Sequence, residues 1–418
     1  MSARGKGLAL VLGLAAVAVV LAIALSGPIR RSMRPLPRLA PARLAAQEGR
    51  LDEAEALLDK YLDVFPRDAE ARLLDIRLLI DRPNPRPEKG LKAIEGFPQA
   101  DPSLAAVVEV YRGKALFQLD RLGAARQAWE AALRLDPTVG EAGWLLLQLD
   151  YLQDRRDLAG HRALAMFETE PDRIDQVGLL LELVRQDVET LATAEVVKQL
   201  GPAVRNDPDD LPTALAYAVA FVREGHAEEG VALLRKAVAA RPTDLDARDA
   251  LLEALGDSGD LDGLSRALAE LPVSMIGSPR LAAHRGRLSL ERRDYAAALA
   301  AYDLAEPARR FDLKVAHRHA TAARRAGSEA RAKAIEAVEE RYKSSIVDLK
   351  DLYSRVDAQR KLGLVPTPAV DRVFADLRES MGRPAEALAW HRLALRADPA
   401  DATSAAAVAR LSAAPRGG

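Results

Sequence analysis

Over most of the chain, apolar residues recur every three or four positions, in blocks separated by short turns rich in Gly, Asp and Pro. Residues at that spacing share one face of an α-helix. One block runs from Leu104 to Leu119 and carries Gly113 and Leu116. After a turn at Asp120, a second block carries Leu122, Ala125, Trp129, Ala132 and Leu133 and stops at Asp136 and Pro137. A helix with a single apolar stripe does not stand alone in water, so the spacing predicts antiparallel pairs that close on each other and leave apolar surface for the next pair. Period-two runs of Val, Ile, Thr and Tyr are missing, and no sheet is expected.

The stops are regular. Pro66, Pro102, Pro137, Pro171, Pro208 and Pro242 fall 34 to 37 residues apart, and Pro399 repeats the same stop near the C-terminus. Proline lacks the amide hydrogen and clashes with the preceding turn, so each reads as the end of a helix. A fixed period in this range means stacked repeats rather than one closed core.

The N-terminus has a different pattern. Leu8 to Ser26 carry no charge and are flanked by Arg4 and Lys6 before and Arg30 and Arg31 after. At about 1.5 Å per residue this run reaches about 30 Å, the thickness of a bilayer core. A cleaved leader usually has an apolar stretch of about 7 to 15 residues, so the reading is a signal anchor. Arg30, Arg31, Arg34, Arg38 and Arg43 after the run favour a cytoplasmic array, whereas the short basic N-terminus favours export of the downstream chain, and the side stays open.

The paired blocks resemble the tetratricopeptide repeat family, whose unit has a W-x2-L-G-x2-Y first helix, then A-x3-F and a final P. Ala54, Leu58 and Pro66 carry the second half of the pattern, as do Ala125, Trp129 and Pro137, and Ala387, His391 and Pro399. Gly225 to Pro242 is a weaker copy, and Gly286, Tyr295, Ala298, Tyr302 and Ala305 mark another. The resemblance departs in two places. Arg173 to Asn206 has a unit's length without its signature, and Ser345 to Leu362 reads as one unpaired helix. The resemblance implies an all-α, right-handed α-solenoid of tandem helix-turn-helix repeats, to which the apolar run adds an N-terminal transmembrane helix. Residues 1–26 are the anchor, 27–41 a basic Pro-rich linker, 42–399 the solenoid, and 400–418 a capping helix and tail.

Charge and composition narrow the function. The formal net charge is −1 and the basic residues are interleaved with acidic ones, which argues against nucleic-acid binding. With no cysteine there is no disulfide, thiolate nucleophile or cysteine metal site. No phosphate-binding glycine loop, H-E-x-x-H or G-x-S-x-G is present. His317 and His319 point to opposite sides of a helix and cannot share a metal. Asp257, Asp260 and Asp262 lack calcium-loop spacing, and Gly259 there supplies a turn while Asp caps the next helix. No cofactor, metal or enzymatic activity is expected.

Binding in the groove lined by first helices is the default. The candidate surface comprises Trp144, Gln148 and Tyr151, an acidic patch of Asp246, Asp249 and Glu253, and a basic stretch of Arg280, Arg287, Lys314, His317, Arg324 and Arg325. An exposed Trp144–Tyr151 pair would serve as an apolar anchor, and adjacent patches of opposite charge would orient a charged peptide or helix. In many chaperone-binding members of the family, Lys and Asn on adjacent first helices clamp a two-carboxylate peptide. The only asparagines here, Asn84 and Asn206, lie in or near turns, so that clamp is not expected. High Ala, Arg and Leu with low Lys suggests a GC-rich genome. The reading is a non-catalytic scaffold at a bacterial inner membrane that binds proteins or peptides. The alternative is an envelope-exported accessory factor for a biogenesis or secretion complex.

Overall fold

The computed structural model describes residues 36–97, 102–169, 175–189, 191–309 and 312–413. The apolar run Leu8–Ser26, most of the basic linker, Pro171 and the tail beyond residue 413 lie outside the described residues. The described residues are helical throughout, without strands. None of their helices is long and apolar enough to cross a membrane. They divide into two compact units, at residues 98 and 99.

The first unit holds α1 (Leu39–Gln47), α2 (Leu51–Leu62), α3 (Ala69–Ile80) and α4 (Pro87–Glu95). The linker boundary shifts, because α1 begins at Leu39, before residue 42. Ala42 and Ala45 of α1 pack against Ala54 and Leu58 of α2 and Ala71 and Leu78 of α3. Asp68 caps α3 by accepting from Ala71 N at 3.0 Å, and it also accepts from Tyr61 Oη at 2.7 Å. Residues 81–86, with Pro83 and Pro85, form the extended turn between α3 and α4, and Pro87 opens α4. The nine-residue α4 buries Pro87, Gly90 and Ile94.

The second unit holds α5 (Pro102–Gln118), α6 (Leu122–Leu135), α7 (Gly140–Leu152), α8 (Arg156–Thr169), α9 (Gln176–Val188), α10 (Thr193–Asn206), α11 (Leu211–Arg223), α12 (Ala227–Ala240), α13 (Leu245–Asp257), α14 (Leu261–Ala269), α15 (Pro279–Glu291), α16 (Tyr295–Arg309), α17 (Leu313–Arg325), α18 (Glu329–Lys361), α19 (Pro368–Ser380), α20 (Pro384–Ala397) and α21 (Ala402–Ala413). Pro102 opens α5 rather than closing the helix before it, using the first-turn position where a missing amide costs nothing.

A left-handed residue marks the turn inside each pair. Asp120 and Asp154 lie 34 residues apart, and Gly225, Gly259, Arg293 and Gly327 repeat that interval, all with positive φ. The period therefore lives in the turns as well as in the prolines. At Gly259 the turn reading holds, since φ is +76° and Asp260 accepts from Gly263 N at 2.7 Å to start α14. Within a pair, close approach needs a small residue opposite a large one. A Cβ on Gly113 would lie 2.1 Å from Trp129 Nε1, and that indole donates to Val110 O at 3.1 Å. Gly286 against the Tyr302 ring repeats the arrangement.

Two departures from regular stacking shape this unit. Helices α9 and α10, in the segment without the repeat signature, do not pair with each other: α9 packs on α8, α18 and α20, and α10 packs on α11. The predicted single helix from Ser345 is instead the second half of α18, a continuous helix of 33 residues and, at 1.5 Å per residue, about 50 Å. No Gly or Pro interrupts Glu329–Lys361, so nothing breaks it. Nor is this stretch unpaired. Tyr342, Leu349, Leu352 and Val356 recur at helical spacing and bury against α9, in one core that includes Phe167, Leu183, Phe374 and Trp390. The later helices thus return to pack on α8 and α9, and the second unit closes on itself. After α20, α21 covers the last pair in the place expected for a cap.

Candidate functional site

A groove of about 1050 Å³ opens in the second unit. Its floor is α11. Ala218, Val222 and the largely covered Leu215 pack into the array, while half-buried Leu211 and Val219 line the groove beside Pro212 and Ala216. Leu191, Thr193 and Val196, around the start of α10, form one wall, and the α7–α8 turn from Tyr151 to Leu158 closes that end. Asp246, Asp249 and Glu253 of α13, with Arg280 and Arg309, form the other end.

The α7–α8 corner is moored to the start of α11. Gln153 Nε2 donates to Thr213 Oγ1 at 2.6 Å, and Arg126 donates to Gln153 Oε1 at 2.6 Å and to Asp210 at 3.0 Å. Asp150 is fully buried and accepts from Arg162 Nε at 2.6 Å. Burial raises its pKa, against the opposing charge of Arg162.

At the opposite end, Asp249 is the hub. It accepts from Arg280 Nε at 2.7 Å, His284 Nε2 at 2.7 Å and Arg309 Nη2 at 2.6 and 2.7 Å. Burial alone would raise its pKa. The His284 hydrogen bond and the charges of His284, Arg309 and Arg280 outweigh that and hold it at about 2. Arg280 reaches across to Asp246 at 2.6 Å.

The structure brings Tyr151, Asp246, Asp249, Glu253 and Arg280 to this groove, but their roles differ from the expected ones. Tyr151 is not an exposed anchor. It is 7% accessible, donates its hydroxyl to Glu189 O at 2.6 Å, and lies under the guanidinium groups of Arg156 and Arg185. Trp144 is half-buried against the core around α8 and α9, and only Gln148 of that trio is exposed. The cause is the packing of the next helices, which lays Arg156 of α8, Arg185 of α9 and Glu189 just after it over the Tyr151 ring and hydroxyl.

The acidic and basic patches are not free fields either. Arg280 pairs with Asp246 and Asp249, Arg287 with Asp257 at 3.0 Å, Lys314 with Asp257 at 3.8 Å, Arg223 with Glu253 at 3.2 Å, and Arg324 with Glu329 at 3.4 Å. Adjacent helices present opposite charges at matching heights, so the patches neutralise each other. His317 and Arg325 are exposed on α17 and do not line the groove. Sequence reasoning missed the groove's apolar floor. The available signal was the stretch LPTALAYAVAFV, which is apolar around too much of the helix for a single packing face.

Among the described residues no cluster of His, Asp or Glu could hold a metal ion. The groove's arginines are each paired with a carboxylate, and its lining mixes these charged groups with aliphatic side chains.

These features define the described chain as an α-solenoid of helix pairs. No protein-family model matches it, and no curated protein sequence does. Among solved structures it is similar to a chain of the APC/C hetero-tetramer Cut9–Hcn1, at 14% identity and TM-score 0.35, covering 88% of each chain. It is also similar to yeast Tom70, at 11% identity and TM-score 0.31, covering 89% of this chain and 87% of that one. A tetratricopeptide repeat protein from Parabacteroides merdae gives 11% identity and TM-score 0.23, covering 74% of this chain and 99% of that one. At these scores the likenesses carry no argument, and the solenoid assignment rests on the helices themselves.

Proposed function

We propose that this chain is a non-catalytic, tetratricopeptide-like scaffold that holds a protein partner in the α11 groove while its N-terminal apolar run anchors it to a membrane. The observation that carries the binding role is the open groove of about 1050 Å³, where half-buried Leu211 and Val219 of the floor and the exposed Leu191 of the wall face the opening. Apolar side chains left facing an open concavity point to a partner. The anchoring role rests on Leu8–Ser26 alone. Placement of the array inside the membrane favours a cytoplasmic scaffold, and placement outside favours an exported assembly factor.

A photoreactive amino acid at position 216, compared with one at Val347, an exposed residue of α18, tests the binding role in cells. A discrete protein adduct from position 216 alone supports it, and equal labelling from both positions, or none, overturns it. Deleting residues 1–26 is expected to release the chain from the membrane pellet. A chain that stays in the pellet overturns the anchoring role.

A further inference from the structure

We infer that the groove's occupant is an amphipathic helix of the partner, docked through an uncharged aliphatic face. This rests on the proposed binding role and names the chemistry of the partner segment.

Charge limits the occupant first. All five arginines that line the groove are paired: Arg155 with Asp150, Arg156 with Asp154, Arg223 with Glu253, Arg280 with Asp246 and Asp249, and Arg309 with Asp249. Of the lining carboxylates, only Asp157 has no ion-pair partner among the described residues, and it is exposed at the rim. A charged ligand side chain would lose its hydration and would have to displace contacts of 2.6–2.7 Å on the buried Asp249. The complement of this surface is an uncharged one.

Hydrogen bonding limits it further. An extended segment brings one unpaired N–H and one C=O per residue, and each costs about 1–3 kcal/mol if buried without a partner. Grooves that hold extended peptides meet those groups with neutral polar side chains. Here all three such side chains are committed. Gln153 is bonded to Thr213 and Arg126, Tyr151 to Glu189 O, and Thr193 Oγ1 to Glu224. A helix needs no such help, because its backbone groups are paired internally.

Shape agrees with both. Half-buried Leu211 and Val219 flank Leu215, which is 8% accessible, in an i, i+4, i+8 row about 12 Å long on the groove side of α11, with Ala216 and the nearly buried Ala220 beside it. A row of this spacing with small neighbours accepts a second helix at an axis separation of about 8–10 Å. An occupant of about three to four turns, with aliphatic residues at i, i+3 or i+4, and i+7, matches its length and pattern.

The test is a displayed library of random 16-residue peptides, selected on the full chain and counter-selected on Ala216→Arg, with Val196→Arg on the facing wall as a second variant should the first misfold. Selected peptides are expected to carry aliphatic residues at helical spacing on an uncharged face. Their synthetic versions should lose binding about tenfold or more when a central residue becomes Pro, and should change affinity by less than about threefold between low and high salt. Selected peptides that are charged and salt-sensitive, or extended and tolerant of Pro, overturn the helix while leaving groove binding in place. Peptides that bind the groove variants equally, or a selection that enriches nothing, overturn both.

Discussion

Asp187 on α9 holds Arg378 and Arg383 of the returning helices, and its loss is expected to open the second unit locally. Arg378 is fully buried. It donates to Asp187 Oδ2 and lies 3.1 Å from Glu386 Oε2, while Arg383 donates to Asp187 Oδ1 at 3.1 Å. The Arg378 contact spans 191 residues of chain. Removing one partner of a buried ion pair costs about 3–5 kcal/mol, because it strands an uncompensated charge. Glu386 remains beside Arg378, so Asp187→Ala is expected to cost about 3 kcal/mol, the lower end of that range. Since α9 meets the later helices here, the loss should be local. Native-state hydrogen exchange should show α18–α20 losing about a hundredfold in protection while α12–α15 keep theirs. Replacing the whole cluster with apolar residues, Asp187→Leu, Arg378→Met, Arg383→Met and Glu386→Met, is expected to recover most of the stability. A cost below about 1 kcal/mol, the scale of a solvated surface pair, would refute the reasoning. So would protection lost evenly across the unit.

Other perturbations test separate parts of the structure. Gly113→Ala places a methyl group 2.1 Å from Trp129 Nε1 and should cost about 1–3 kcal/mol in urea unfolding, with a change in Trp fluorescence. Asp371 is 2% exposed, its Oδ1 has no hydrogen-bond partner, and burial raises its pKa from 3.8 to about 7. The native carboxyl holds its proton more tightly than the unfolded chain does. Its contribution is therefore fully present below about pH 3.8 and is lost as pH rises through about 7, by up to about 4 kcal/mol. Thermal melts from pH 5 to 8 should show this decline, and Asp371→Asn should flatten it. Tyr151→Phe removes the hydroxyl bonded to Glu189 O at 2.6 Å and should cost about 1 kcal/mol in urea unfolding.

Much of the local architecture was legible in the chain. The spacing that made Ala125 and Trp129 a repeat signature is the spacing that buries them, and Gly113 is small for the reason the pattern implies. The break between Arg173 and Asn206 was visible as a missing signature, though its consequence was not. Whether α9 would pair with α10 or turn to other helices depends on what surface lies nearby, and the helices it found, α18 and α20, come more than 140 residues later. The charged patches failed as a prediction for a similar reason. Asp249 and Arg280 read as separate faces until their helices are stacked, and then they meet at 2.7 Å.

What the sequence determined by itself was what neighbouring residues decide: helices from the apolar period, turns from Gly and Asp at 34-residue intervals, and pairing from small residues opposite large ones. These interactions span a few turns of chain, and their stereochemistry is the same wherever the pair sits. Only the tertiary structure decided that the later helices return to α8 and α9, that Tyr151 lies inside, and that the groove's arginines are already matched by carboxylates. Those outcomes come from the burial of surface between segments far apart in sequence, and such burial becomes definite only once the helices are in place.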